Sequence, residues 1–255
     1  MSALEIHQFP CLSDNYGYLV HDKVSGETAA IDTPDADKIL SEAKVKGWDI
    51  TQIWNTHWHP DHTGGNLKIK DETGCVIIGP AGEEEKIPGL DRAVQQDSIV
   101  NLGAYTARIF DLPGHTLGHI AYIMEDEPVA FVGDTLFALG CGRLFEGSAE
   151  QMWQSLSKLK ALSEETMVYC AHEYTAANAK FALTIEPENP DLKAYSARVD
   201  ALRADGQPTV PTSIAKELAA NPFLRADVPA LQSAMGHSGD AVATFAEIRK
   251  RKDNF

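Results

Sequence analysis

Four side chains able to bind a metal fall within six residues of the stretch Thr56-His57-Trp58-His59-Pro60-Asp61-His62, which runs straight into Thr63-Gly64-Gly65. Neutral imidazole and carboxylate are the donors that borderline divalent metals such as zinc take up. In an extended segment, residues two apart point the same way. His57 and His59 can therefore grip one ion, while Asp61 and His62, past the turn that Pro60 imposes, reach a second. A polar loop rich in histidine is the plainer reading, but this spacing in front of a glycine pair speaks for a metal motif.

Three more candidates sit where apolar runs end. His115 follows Pro113-Gly114, whose turn aims it away from a sheet edge, and it is the preferred ligand over His119, which begins the next strand and reads as structural. Asp134 closes the run Val129–Val132, where a carboxylate is costly unless paired or bound to metal. Its alternative is an N-cap. His172 ends Thr166–Cys170 and by itself would pass for a structural histidine. Together, five histidines and two aspartates supply seven ligands, enough for two ions, with Asp134 able to offer one oxygen to each.

Short strands must position these groups. Leu4–Phe9, Tyr16–His21 and Thr28–Ile31 are β-prone runs separated by turn residues, the pattern of an antiparallel meander. Thr33-Pro34-Asp35 reads as N-cap, first-turn proline and first-turn acid of a helix carrying Ile39, Leu40 and Ala43 and closed by Gly47. Ile50–Asn55 is a strand that opens onto the metal stretch, and Val76–Ile78 follows a short helix. Ala81–Ser98, charged and irregular, is expected to be a surface loop. Alternation at Tyr105, Ala107 and Ile109 marks another strand, followed by Ile120–Met124. Ser148-Ala149-Glu150-Gln151 has the form of a capping box ahead of Met152, Leu156 and Leu159. From Thr175 onward helical patterns dominate, ending in a helix whose expected N-cap is Ser238. The expected division is a mixed β/α domain over residues 1–174 and a small helical domain over 175–255.

The 255 residues suffice for one large domain with an appendage. A formal charge of −15 argues against nucleic-acid and anionic-membrane partners, which reward basic surfaces. No run approaches a membrane span, and no basic region followed by a long apolar stretch opens the chain. Cys11, Cys75, Cys141 and Cys170 lack paired spacing and read as reduced thiols. Cys141 and Cys170, though near ligands in sequence, are assigned to packing. A cytoplasmic monomer is the expectation.

The order His57-x-His59-x-Asp61-His62, His115, Asp134, His172 resembles the metallo-β-lactamase superfamily. That resemblance implies an α+β fold, an αββα sandwich, with a dinuclear site along one edge. It implies one ion on His57, His59 and His115, the other on Asp61, His62 and His172, and Asp134 shared. Asp61 and Asp134 are cast as catalytic too. Zinc is the first expected metal, with iron and manganese accepting the same ligands. Hydrolysis follows from such a site; the substrate does not.

Other stretches narrow it. Asp14-Asn15-Tyr16, Gly133–Phe137, Gly140–Gly147, His172–Thr175, Asn221–Arg225 and the tail Arg249–Phe255 resemble the glyoxalase II family, the hydroxyacylglutathione hydrolases. The resemblance implies cleavage of S-(2-hydroxyacyl)glutathione, S-D-lactoylglutathione foremost, by hydroxide generated between two ions. It assigns glutathione binding to Arg249 and Lys252, with Arg143 and Tyr174 assisting. The cluster Arg249-Lys250-Arg251-Lys252 is the densest cationic run of an acidic chain, more than a helix dipole asks for, and glutathione carries two carboxylates. Where the family often has Lys and Tyr, this chain has Arg143 and Phe145; arginine keeps the charge, whereas Phe145 cannot donate a hydroxyl. Competing readings are a persulfide dioxygenase, a nuclease of the same superfamily and a metal-dependent binding protein without turnover.

Overall fold

The computed structural model describes residues 3–255. Its internal contacts divide it into two units, one running through Asp111 and resuming over Gly118–Gly133, the other made of Leu112–Leu117 and Asp134–Phe255.

In the first unit, β1 (Leu4–Cys11), β2 (Asn15–Asp22) and β3 (Thr28–Ile31) form the antiparallel meander, after which α1 (Ala36–Lys46) crosses to β4 (Ile50–Trp54). The short α2 (Pro60–Thr63) and α3 (Asn66–Thr73) lead to β5 (Val76–Pro80), and β6 (Arg92–Val94) completes a six-stranded sheet in sequence order. From β3 to β6 the pairing is parallel. The strands β7 (Ile99–Leu102), β8 (Tyr105–Asp111), β9 (Ile120–Met124) and β10 (Val129–Gly133) pair antiparallel in order. Aromatic contacts join the two sets of strands: Trp54 stacks on Tyr122 with ring centroids 5.0 Å apart, and Tyr18 meets Phe131 at 5.8 Å. The opposite face of the first sheet is sealed by Ile39 and Ala43 of α1 and Ile69 of α3, against Leu19, Ala30, Ile53 and Ile77. This is sheet packed on sheet with helices outside, each layer burying one apolar face.

The second unit carries a two-stranded hairpin, β11 (Leu136–Phe137) with β12 (Gly140–Cys141), then α4 (Ala149–Lys160) and β13 (Met167–Cys170). Helices α5 (Thr175–Ile185) and α6 (Pro190–Ala204), the short β14 (Thr212–Ser213) paired with β13, and α7 (Ile214–Ala220), α8 (Pro229–Met235) and α9 (Ala241–Asp253) follow. The capping box of α4 forms: Ser148 Oγ accepts from Gln151 N, and Gln151 Oε1 accepts from Ser148 N.

Three expectations need correction. Helix α1 is capped by Asp35, whose carboxylate accepts from Lys38 N, because the Thr33 hydroxyl is buried and donates to Asn66 Oδ1 at 2.6 Å. The cap of α9 is Asp240, two residues beyond Ser238, accepting from Ala243 N at 2.8 Å. Ala81–Ser98 is more than a loop: it holds a 3-10 turn over Ala81–Lys86 and strand β6. The charge-rich composition hid a buried carboxylate, Glu83, which accepts from Trp58 N at 2.7 Å and Gly118 N at 3.1 Å.

Candidate metal centre

The parallel strand β4 delivers its C-terminal end into Asn55, Thr56 and His57, all fully buried. Thr56 N donates to Asp32 Oδ1, and the Thr56 hydroxyl donates to Asp32 Oδ2, both at 2.8 Å. Because that hydroxyl hydrogen is spent on Asp32, Thr56 Oγ1 can only accept from His57 Nδ1, 3.0 Å away. The Nε2 of His57 then carries a lone pair, and it lies 3.0 Å from His59 Nδ1. Asp32 Oδ2 also lies 2.8 Å from His62 Nδ1, which leaves His62 Nε2 as the inward atom, 3.4 Å from Asp61 Oδ2. Asn15 donates to Asp61 Oδ2 at 3.1 Å and aims that carboxylate.

A second set is built on Asp134. Its Oδ2 lies 3.4 Å from His115 Nε2 and its Oδ1 3.4 Å from His172 Nε2. His115 Nδ1 is held by the carbonyl of Arg143 at 2.9 Å, fixing the same tautomer as in His57 and His62. His172 is stacked face to face with Tyr174, centroids 4.7 Å apart and planes within 1°. Gly142 is required beside it, since a Cβ there would run into the carbonyl oxygen of Asp134. Gly133, at φ +48°, admits only glycine comfortably, and a Cβ would meet Thr56 Oγ1 and His119 Nε2.

Within the first unit the rings of His59 and His62 gather on His57, with centroids 4.7 and 4.0 Å from it, and within the second the Nε2 atoms of His115 and His172 flank Asp134. The chemistry fits a divalent metal. Bonds of 2.0–2.1 Å in a tetrahedron put neighbouring donors roughly 3.3 Å apart, close to the 3.0 and 3.4 Å separations seen here. Orienting a histidine by hydrogen bonding its other nitrogen is also how metal-binding imidazoles are held. His119 is buried and stacks on His57, ring centroids 4.8 Å apart.

Next to His115 and Asp134 opens a cavity of about 480 Å³, lined also by Phe137, Cys141, Arg143, Phe145, Tyr174, Asn178, Arg249 and Lys252. Phe145 is 63% exposed and its ring meets His115 edge to face at 5.2 Å. Arg143 is exposed. Arg249 is buried: its guanidinium donates to the Cys141 carbonyl at 3.1 Å, pairs with Asp253 at 2.8 Å and lies over Phe223. Lys252 donates to the Ala177 carbonyl and sits over Phe181 and Phe255. Burial, reinforced by the Arg249 and Arg143 cations, pulls its ammonium down to about 8. Cys141 and Cys170 are buried, and burial raises their thiols to about 11 and about 12.

Asp32 and Glu83 are the positioning residues that sequence reasoning passed over. Asp32 was within reach, because it ends the apolar run Ala29–Ile31 just as Asp134 ends Val129–Val132, so the cost of a carboxylate at a strand mouth applies to it equally. No comparable signal marks Glu83.

A family model for the metallo-beta-lactamase superfamily matches residues 25–172, and one for the hydroxyacylglutathione hydrolase C-terminus matches residues 173–255. A hydroxyacylglutathione hydrolase from Hyphomonas neptunium is 64% identical, and one from Maricaulis maris 59%, each alignment covering 100% of both chains. Among solved structures, ETHE1 from Myxococcus xanthus superposes with a TM-score of 0.70 at 24% identity, over 96% of this chain and 90% of that one, a likeness of fold. The chain belongs to the hydroxyacylglutathione hydrolase family of the metallo-β-lactamase superfamily.

Proposed function

We propose that the protein hydrolyses S-(2-hydroxyacyl)glutathione, with S-D-lactoylglutathione giving glutathione and D-lactate, at a centre of two divalent ions. The observation that carries this is Asp134, whose two oxygens face His115 and His172 at equal 3.4 Å distances beside a cavity containing cations. His57, His59 and His115 would hold one ion, Asp61, His62 and His172 the other, and Asp134 both. Zinc is the metal these donors favour first, ahead of iron and manganese. Bound there, such ions would supply a water of lowered pKa, toward about 7, and a Lewis acid for the scissile carbonyl.

The chain's residues do the rest. Asp134, Asp61 and the oriented histidines fix where water and carbonyl meet. A thiolate is a good leaving group, so the C–S bond breaks without a protein acid, and no serine or cysteine nucleophile takes part. The high Cys141 and Cys170 pKa values agree with that. Arg143 and Lys252 supply positive charge for the glutathione carboxylates. Tyr174 and Phe145 flank the ligands His172 and His115, and Arg249 fixes the wall at Cys141 while contributing charge. The two family models meet between residues 172 and 173, which supports a functional division near residue 174. The net charge of −15 supports a small-molecule partner over nucleic acid or a membrane surface, and the reading extends to a cytoplasmic monomer. No helix among the described residues is long and apolar enough to cross a membrane.

Asp134→Ala or His59→Ala tests the assignment. Each is expected to abolish thioester hydrolysis together with bound metal; full activity in either contradicts it.

A further inference from the structure

Far from the metal donors in sequence, Glu217 of α7 is fully buried, and burial raises its carboxyl pKa against the pull of four donors. Its Oε1 receives the Thr212 hydroxyl at 2.6 Å and lies 3.3 Å from the Tyr195 hydroxyl. Its Oε2 accepts from Leu139 N at 2.8 Å and from Asn221 Nδ2 at 2.9 Å. Leu139 is the turn of the β11–β12 hairpin and holds φ at +58°, a conformation a leucine adopts only when its surroundings impose it.

The same amide nitrogen of Asn221 lies 3.2 and 2.9 Å from the carbonyls of Phe137 and Gly140, its two hydrogens shared among three acceptors, and Asn178 donates to the carbonyl of Ala138. Three side chains from helices α5 and α7 and the end of α7 thus grip four consecutive hairpin residues, 137–140. The hairpin starts two residues after Asp134, and its Phe137 and Cys141 line the cavity beside the metal donors. Phe137 packs edge-on against both His172 and Tyr174, at 5.9 and 5.4 Å, and the Cys141 carbonyl receives Arg249.

We propose that Glu217 is a positioning residue for the substrate cavity, its carboxylate fixing the strained Leu139 turn and, through that hairpin, the Phe137 and Cys141 wall. A buried charge on a helix that touches no substrate is costly, and a purely packed leucine would serve stability as well or better. What leucine could not do is hold an amide at positive φ. This inference rests on the glutathione thioester reading for its kinetic arm only.

The test compares Glu217→Leu, Glu217→Gln, Asn221→Ser and Thr212→Val in the full-length, metal-loaded enzyme. Two readouts are taken: KM for S-D-lactoylglutathione, and amide hydrogen exchange at Leu139. Glu217→Leu should raise KM about ten-fold, the loss of one buried charge-assisted hydrogen bond, speed Leu139 exchange and leave metal per chain unchanged. Glu217→Gln should restore both readouts, since its oxygen can face Leu139 while its amide donates to a turned Thr212 hydroxyl. Asn221→Ser should act as Glu217→Leu does and carries the test if the leucine variant does not fold. Thr212→Val, which removes a donor facing away from the hairpin, should lower Tm without moving KM. Wild-type KM and Leu139 exchange in the folded Glu217→Leu or Asn221→Ser variant overturn the proposal, as does a folded glutamine variant no better than leucine. An inactive wild type instead refutes the substrate reading, and the exchange measurement then decides the hairpin claim alone.

Discussion

Asp32 Oδ2 lies 2.8 Å from His62 Nδ1 while the same carboxylate accepts both the backbone amide and the hydroxyl of Thr56. One buried side chain thereby sets the tautomer of His62 directly and that of His57 through Thr56. Asp32 also sits at φ +54°, a backbone state that aspartate and asparagine tolerate better than other non-glycine residues.

Asp32→Asn keeps that backbone state but cannot accept three donors on two oxygens. Metal affinity should fall about 10–100-fold, the usual effect of removing a group that orients a ligand, with the fold retained. Metal titration monitored alongside circular dichroism checks this; unchanged affinity would mean that Asp32 is structural only.

Phe145→Tyr should lower KM for the glutathione thioester by a factor matching about 1 kcal/mol, one added hydrogen bond. The ring is exposed at the cavity rim, so a hydroxyl there meets no steric obstacle among its described contacts. Steady-state kinetics decide it, and an unchanged KM counts against the cavity as the glutathione site.

Lys252 gives a pH dependence with a definite sign. Its ammonium, drawn down to about 8, is charged below that pH and loses its charge above it. Attraction for the glutathione carboxylates should therefore be complete only well below pH 8, and KM should rise as pH passes through and beyond 8. In Lys252→Met that rise should vanish and KM should be high throughout. A wild-type KM flat from pH 7 to 10 would remove Lys252 from substrate binding.

All four cysteines are buried, and Cys11, Cys141 and Cys170 have thiols raised to about 12, about 11 and about 12. Thiolate is the reactive form. Iodoacetamide at pH 7.5 should leave both the native protein's mass and its activity unchanged; rapid inactivation would place a thiol in the mechanism.

How much of this was legible beforehand depended on the range of the signal. His57, His59, Asp61 and His62 stand out as candidate ligands by spacing within one segment, and the Ser148 capping box forms as its pattern indicates. The cap of α1 was misread because a long-range partner intervened: the Thr33 hydroxyl goes to Asn66, 33 positions away, so the cap passes to Asp35. Glu83 was hidden for the same reason, since a buried carboxylate inside a charged run differs from its neighbours only by partners at Trp58 and Gly118. The tail showed the reverse. Its four consecutive cations look alike in sequence, yet α9 buries Arg249 against Cys141 and Asp253 and turns Lys252 toward the cavity.

Hydrolysis of a glutathione thioester at a two-metal centre is open to direct measurement. One measurement reaches it most directly: anaerobic turnover of S-D-lactoylglutathione, beside a lactam and a lactone, with metal counted on the same sample. Rapid release of glutathione without oxygen, two ions per chain and little action on lactam or lactone are expected. Turnover that needs oxygen with one iron per chain, or two bound ions with no thioester cleavage, would contradict that expectation.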